Sequence, residues 1–298
     1  MTNDDWFIPA GSRPEAGWTD VVDGRIPGWA HTGLRTGTLR DGGALRLPAD
    51  AVERIIVPLA GSCTVAYDDT VQVLDGRASV FAGPTDVLYL GSGTAATITG
   101  AGRVAVAEAP TEVVRPSAYI ARDDVPVELR GAGRSSRQVH NFGTPAVLDA
   151  ERLIVCEVIT PAGNWSSYPP HKHDTTVPGE ESDLEEIYYY ESAVARGCSA
   201  PSQAAPFGLH RTYASDDRPI DEFRQVRSGD VALVPYGWHG PAVAAPGYDL
   251  YYLNVMAGPG PERVWDITDD PAHGWVRTTW ESEPIDPRLP YTPQKEDV

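Results

Sequence analysis

Four residues in the second half of the chain have the types and spacing needed to hold a metal ion. His171 and His173 are one residue apart in SSYPPHKHD, so on an extended strand both imidazoles leave the same face. A polar loop rich in proline, glycine and acid follows, and then the run Leu184 to Tyr190, whose even-numbered positions put Glu186, Tyr188 and Tyr190 on one face. If that face looks toward the histidines, Glu186 becomes a third ligand. In GDVALVPYGWHGP, Gly229 opens a strand, Pro235 and Gly237 turn it, and His239 follows as a fourth. Neutral imidazoles with one carboxylate form a borderline site for a single divalent ion, zinc or manganese first and iron or nickel next. Asp174, Glu180 and Glu181 are the alternative carboxylates. Glu186 is preferred because it begins an aromatic strand, whereas they lie in a loop.

The elements that must position these residues read as short strands. The 29 glycines and 27 prolines punctuate the chain every few residues, which favours many strands and few helices. From Trp29 onward, runs such as ERIIVPLAG, SCTVAYDD, DVLYLG and RVAVAEAP recur with turn signals between them. This is the rhythm of a sandwich or small barrel. The polar stretch VELRGAGRSSRQVHNF separates this half from a second one with the same rhythm. The expected organisation is therefore all-β, with two tandem small barrels of jelly-roll type: residues 1–130 without a metal, and residues 131–298 carrying the site. Trp6, Phe7 and Trp18 should pin an irregular N-terminal arm, and the tail with Trp265, Trp275 and Trp280 should pack back over the second barrel.

Composition narrows the function. A formal charge of −18 over 298 residues argues against a nucleic-acid partner, since phosphate binding needs clustered lysine and arginine. No stretch has the length to cross a membrane, and MTNDDWFIPAG lacks the basic and apolar regions of a secretion signal. Cys63, Cys156 and Cys198 are odd in number and widely spaced, which fits a reducing cytoplasm better than a disulfide framework. A small-molecule ligand is expected, and a homo-oligomer is compatible with the sequence.

Several phrases carry a resemblance. GRASVFAGPTDVLYL, RQVHNF, GNWSSYPPHKHD, LEEIYYY, GDVALVPYGWH, GYDLYYLNVMAGP and DDPAHGW resemble, in order, those of the 5-deoxy-glucuronate isomerase family of bacterial myo-inositol catabolism. That family groups with the pectin-pathway uronate isomerases among the two-cupin proteins. The resemblance implies a bicupin fold and a metal-dependent interconversion of 5-deoxy-D-glucuronate, an aldehyde, with 5-dehydro-2-deoxy-D-gluconate, a ketone, in the cytoplasm. It implies the same four metal positions. The chain departs from the family pattern at Trp238, at Gly240 inserted before Pro241, and at His210 where glutamine is expected.

Such chemistry needs a proton carrier near the reacting carbon and a grip on the carboxylate. Tyr188, Tyr213 and Tyr252 are the candidate catalytic groups. Lys172, between the two histidines, must face the other way. Leu209, Arg211 and Tyr213 share a face of GLHRTYA that reads as inward-looking because of its apolar and aromatic members. Arg211 is thus the first candidate for the substrate carboxylate and Arg137 the second, since a guanidinium fork matches a carboxylate bidentately. A two-cupin iron-dependent oxygenase, an isomerase of a related uronate and a non-catalytic sugar-acid sensor are the competing readings.

Overall fold

The structure, a computed structural model, describes residues 6–292 apart from 41, 216 and 217. Its described part is built from antiparallel strands, with four short 3-10 turns as its helical segments. An eight-stranded sheet holds the first half, from Asp20–Val22 to Ala118–Ile120. Its spine is the pair Val52–Tyr67 and Ala96–Pro110, which stay in register from Val52↔Pro110 to Tyr67↔Ala96 with an irregularity between Pro58 and Ala60. Gly102 lies at that bend with φ +134°, and a Cβ there would sit 1.9 Å from the Ala60 carbonyl oxygen. Glycine therefore lets two long strands turn a corner together.

The second half forms a seven-stranded and a six-stranded sheet. In the seven-stranded sheet, Tyr248–Ala257 lies between Glu185–Val194 and Ile154–Thr160. Two of its strands come from the other side of the residue-130 boundary. Phe7–Ile8 pairs with Val231–Ala232, and Val127–Arg130 pairs with Arg137–His140. Both the N-terminal arm and the end of the first half are thus strands of the second barrel.

Alternation along the central strands explains why they are so apolar. Ile154, Cys156, Val158, Tyr188, Tyr190, Leu250, Tyr252 and Met256 belong to the core inside the second barrel. Their odd-numbered neighbours Val155, Ile159, Ile187, Tyr189, Tyr251, Leu253 and Val255 join Ile55, Val57, Ala105 and Ala107 of the first half in a third core between the barrels. Both faces of these strands are buried, so the runs LIVCEVIT and LYYLNVMA lose the polar alternation of a half-exposed strand. A separate apolar cluster that includes Ile56, Val65, Leu74, Leu88 and Ile98 fills the first barrel.

Polar groups enclosed between the halves are paired. Glu157 accepts from Arg77 at 2.6 Å on each oxygen and from the Tyr251 hydroxyl at 2.7 Å, with His140 Nδ1 at 2.6 Å. The Glu53 carboxylate accepts from the backbone N–H groups of Glu151, Arg152 and Leu153 and from the Tyr89 hydroxyl. The Glu185 carboxylate does the same for Ala30, His31 and Thr32. Charged hydrogen bonds of this kind fix the register of one barrel on the other.

Among the described residues, no helix is long and apolar enough to cross a membrane.

Candidate metal centre

His171 opens a two-residue strand, His171–Lys172, that pairs with Trp238–Ala244 so that His171 lies opposite His239. His173 follows one residue later, and Leu184 N–H donates to its carbonyl oxygen at 2.9 Å. That bond ties it to the start of Glu185–Val194, where Glu186 points inward beside Met256. The Nδ1 or Nε2 ligand atoms of His171, His173 and His239 lie within 4.8 Å of one another. Glu186 Oε2 lies 3.1 Å from His173 Nε2 and 3.0 Å from His239 Nε2. All four side chains are buried.

The orientation of the rings matters as much as their proximity. Each Nδ1 faces a backbone carbonyl: Pro169 at 3.3 Å for His171, Leu184 at 3.1 Å for His173 and Gly237 at 3.1 Å for His239. A neutral ring that donates from Nδ1 leaves the Nε2 lone pair toward the centre, the arrangement by which backbone groups orient metal-binding histidines. His239 Nε2 is buried and has no aligned hydrogen-bond partner among the described residues. An orphaned ring nitrogen facing two further imidazoles and a carboxylate is the donor set of a borderline divalent ion, so these residues fit one.

The electrostatics differ among these side chains. Burial, and then the neighbouring His239 and His173 rings, hold the His171 pKa well below its ordinary value, which favours the neutral ring. Burial opposes the charged form of Glu186, but the adjacent His173 and His239 rings outweigh it and hold that carboxyl well below the usual carboxylate range. For His173, burial works against protonation while contact with the Glu186 carboxylate more than offsets it, and its pKa is raised.

The alternative carboxylates are engaged elsewhere. Asp174 accepts from Lys172, Ser215 and the Gly237 N–H, Glu181 accepts from Lys172 and the Asp174 N–H, and Glu180 is exposed. Lys172 turns away from the imidazoles as its position between them requires. Its Nζ lies 5.6 Å from the centre of the Trp238 ring.

A cavity of about 280 Å³ opens beside the centre, lined by His171 and Glu186 together with Arg130, Arg137 and Arg277. Tyr188 and Tyr252 line it, and Ser167 Oγ lies 3.2 Å and 3.0 Å from their hydroxyls. Burial pushes both phenols above their ordinary pKa, so they stay protonated. Gly240, one of the departures from the family pattern, has φ +86°, and a Cβ there would sit 1.8 Å from the Ser167 carbonyl oxygen. Glycine at 240 lets the His239 strand pass against the turn that holds Ser167 between the two phenols.

The three arginines differ in their partners. Arg130 pairs with Glu128 and Arg277 with Asp269. Arg137 is buried and has no carboxylate within ion-pair distance among the described residues. It donates to the Ser135 carbonyl at 3.1 Å and lies 5.5 Å from the Trp280 ring centre. Burial, reinforced by repulsion from Arg130 and Arg277, pulls its pKa down to about 10, which leaves it charged at neutral pH.

Arg211 and Tyr213 are corrections. On Gly208–Ser215 the buried side chains are His210, Thr212 and Ser215, while Leu209, Arg211 and Tyr213 lie on the outer, partly exposed face. Arg211 pairs with exposed Asp221, and the Tyr213 hydroxyl donates to Asp270. Neither lines the cavity. An apolar-inward rule fails on this strand because the barrel interior beside it is the polar one. Sequence reasoning also passed over Arg130, Arg277 and Trp265 as cavity residues. Arg130 sat in a stretch read as a linker, and the other two in a tail without periodicity. The inward His210 forms hydrogen bonds with the Tyr190 hydroxyl at 2.7 Å and Thr212 Oγ1 at 2.9 Å. Burial, and next the His239 ring, drives its pKa down to about 3, so it is neutral.

Two β-barrels packed face to face, one with a buried His3Glu cluster in its interior, make this an all-β protein of cupin fold. Residues 7–276 match the KduI/IolB family model, and the chain belongs to that family. The 5-deoxy-glucuronate isomerase of Geobacillus kaustophilus is 39% identical over 91% of this chain and 94% of its own length. That of Bacillus subtilis strain 168 is 42% identical over 75% of this chain and 79% of its own. The crystal structure of an IolB-like protein from Salmonella typhimurium superposes with TM-score 0.80 at 36% identity, covering 91% of this chain and 98% of that one. A Lactobacillus farciminis oxalate decarboxylase superposes with TM-score 0.60 at 11% identity over 89% of this chain and 88% of that one, a likeness of fold alone.

Proposed function

We propose that this chain is a metal-dependent aldose–ketose isomerase that converts 5-deoxy-D-glucuronate to 5-dehydro-2-deoxy-D-gluconate; its relatives near 40% identity carry the name 5-deoxy-glucuronate isomerase. The observation that carries the reading is the juxtaposition in one cavity of a His3Glu centre and a buried arginine without an acidic partner. His171, His173 and His239 through Nε2, with Glu186, would hold one divalent ion, zinc or manganese in preference to iron or nickel. Such an ion supplies Lewis-acid polarisation of a carbonyl and its neighbouring hydroxyl.

Arg137 binds the substrate carboxylate through its guanidinium fork, which completes the missing ion pair of a buried charge. Tyr188 and Tyr252 are neutral donors toward the reacting oxygens, and Ser167 between them can pass a proton from one hydroxyl to the other. The raised pKa of both phenols suits donation to oxygen and excludes a resting phenolate base at neutral pH. The cavity volume suits a small sugar acid rather than a polymer. Three cysteines without disulfide partners accord with a cytoplasmic enzyme.

The test is conversion of 5-deoxy-D-glucuronate followed by NMR in deuterated water. Turnover should stop on chelation and return with added divalent ion, and solvent deuterium in the product would mark an enediol route. Full activity in metal-free protein would overturn the mechanism. Oxygen consumption with the same substrate would point to the two-cupin oxygenase instead, which the isomerase names of relatives near 40% identity do not favour.

A further inference from the structure

Asn254 lies on the inner face of the strand Tyr248–Ala257, opposite Tyr188 on one side and Cys156 on the other. It is 3% exposed, lines the cavity, and its Nδ2 has no hydrogen-bond partner among the described residues. A buried amide donor left unpaired is unfavourable, and an apolar residue would sit among these neighbours without that penalty. The strand also supplies Tyr252 and Met256 to the same inner face, so Asn254 interrupts an otherwise apolar and aromatic row.

Its place in the register says what it could meet. Met256 lies opposite Glu186, so the metal-binding carboxylate sits one inward position to one side of Asn254. In the other direction come Tyr252, opposite Val158, and then Leu250, opposite Thr160; Val158 pairs in turn with Val139, two residues from Arg137. Asn254 is therefore between the metal end of the cavity and the guanidinium end, level with the middle of any molecule that spans both.

We infer that Asn254 is a specificity-determining residue whose amide N–H donates to a hydroxyl oxygen in the middle of the sugar-acid chain. The inference rests on the proposed function for the two ends of that chain, and adds the reading of its centre. A ligand with an acceptor at this depth satisfies the orphaned donor. One that lacks it leaves the amide buried and unpaired, which is how a polar site rejects a deoxy analogue.

The decisive variant is Asn254→Leu, which keeps the branched shape of the side chain and removes the donor. Its kcat/KM should fall about 10- to 100-fold, while its metal content stays at the wild-type level and the melting temperature of the ligand-free, metal-loaded protein is unchanged or higher. Binding of D-glucuronate and its 2-, 3- and 4-deoxy analogues, measured by calorimetry on the metal-loaded protein, forms a double-mutant cycle. One deoxy analogue should bind the wild type more weakly than D-glucuronate yet bind the variant no more weakly than D-glucuronate does. Unchanged kcat/KM and affinity, or a loss accompanied by a lower melting temperature, would overturn the assignment. If the wild type binds D-glucuronate but isomerises nothing, the proposed function fails while the cycle still reports on Asn254.

Discussion

The two barrels have interiors of different chemistry. The first is filled by Ile56, Val65, Leu74, Leu88, Leu90 and Ile98. The second keeps Ile154, Val158, Leu250 and Met256 in its core, but its two sheets also bring His171, His173, Glu186, Tyr188, His239, Tyr252 and Asn254 inside it. One frame thus serves two purposes. A packed interior supports its neighbour through the shared core between the barrels, and a polar one leaves a cavity beside the imidazole–carboxylate cluster. The difference teaches that support and chemistry are separable here, because the strands that carry the site are buried on their opposite face by the other barrel.

Breaking the second interior should abolish function and spare the fold. His171→Ala or Glu186→Gln should lose bound divalent metal, measured by elemental analysis, and lower kcat/KM by at least about 10³-fold, since Lewis-acid help is worth several kcal/mol. Loss of activity with metal content intact would separate the centre from the chemistry.

Breaking the seam between the barrels should do the reverse. Glu157→Gln leaves Arg77 without its buried partner and should destabilise the protein by about 3–5 kcal/mol in denaturant unfolding, with metal binding retained in the folded fraction. Burial raises the Glu157 pKa, but Arg77 and His140 outweigh it, and the folded-state value is depressed to about 2. A depressed carboxylate stabilises above its unfolded pKa of about 4.5 and loses that contribution as pH falls through the folded value. The wild type should therefore weaken between about pH 4.5 and pH 2, and the variant should show a flatter slope over that window.

Opening a void in the first interior is next in size. Ile56→Ala should lower stability by about 2–4 kcal/mol without changing metal affinity or KM. A shift in KM would mean that the first barrel takes part in ligand binding.

The smallest expected effect sharpens the comparison inside the second barrel. Arg137→Met should reduce kcat/KM about 10- to 100-fold, mostly through KM, and should raise the stability of the ligand-free protein by removing an unpaired buried charge. Arg211→Met, on the outer face, should do neither.

How much of this could be read beforehand follows from which interactions are local. Strand existence and the all-β class came from turn residues and short apolar runs, which depend on neighbours in sequence. The imidazole pair was legible because His171 and His173 share a parity, and Glu186 stood out because it opens a strand rich in aromatics; that this strand turns Glu186 toward the two rings was set across strands. Arg211 misled because its face was judged by hydrophobicity, and the second barrel inverts that rule where its interior is polar. The unpaired state of Arg137 was invisible in sequence, since it depends on Glu128 and Asp269 pairing with Arg130 and Arg277 instead.

By itself, then, the sequence determined the strand rhythm and the imidazole–carboxylate set with its family likeness. Tertiary structure alone decided that the N-terminal Phe7–Ile8 and the linker-like Val127–Arg130 are strands of the second barrel. It also decided that Arg137 and Asn254, rather than Arg211 and Tyr213, face the cavity. The physical reason is that a side chain's face is fixed by strand register and bulges across the sheet. Those depend on pairing with residues of other strands, from about ten to more than two hundred positions away, which local patterning does not encode.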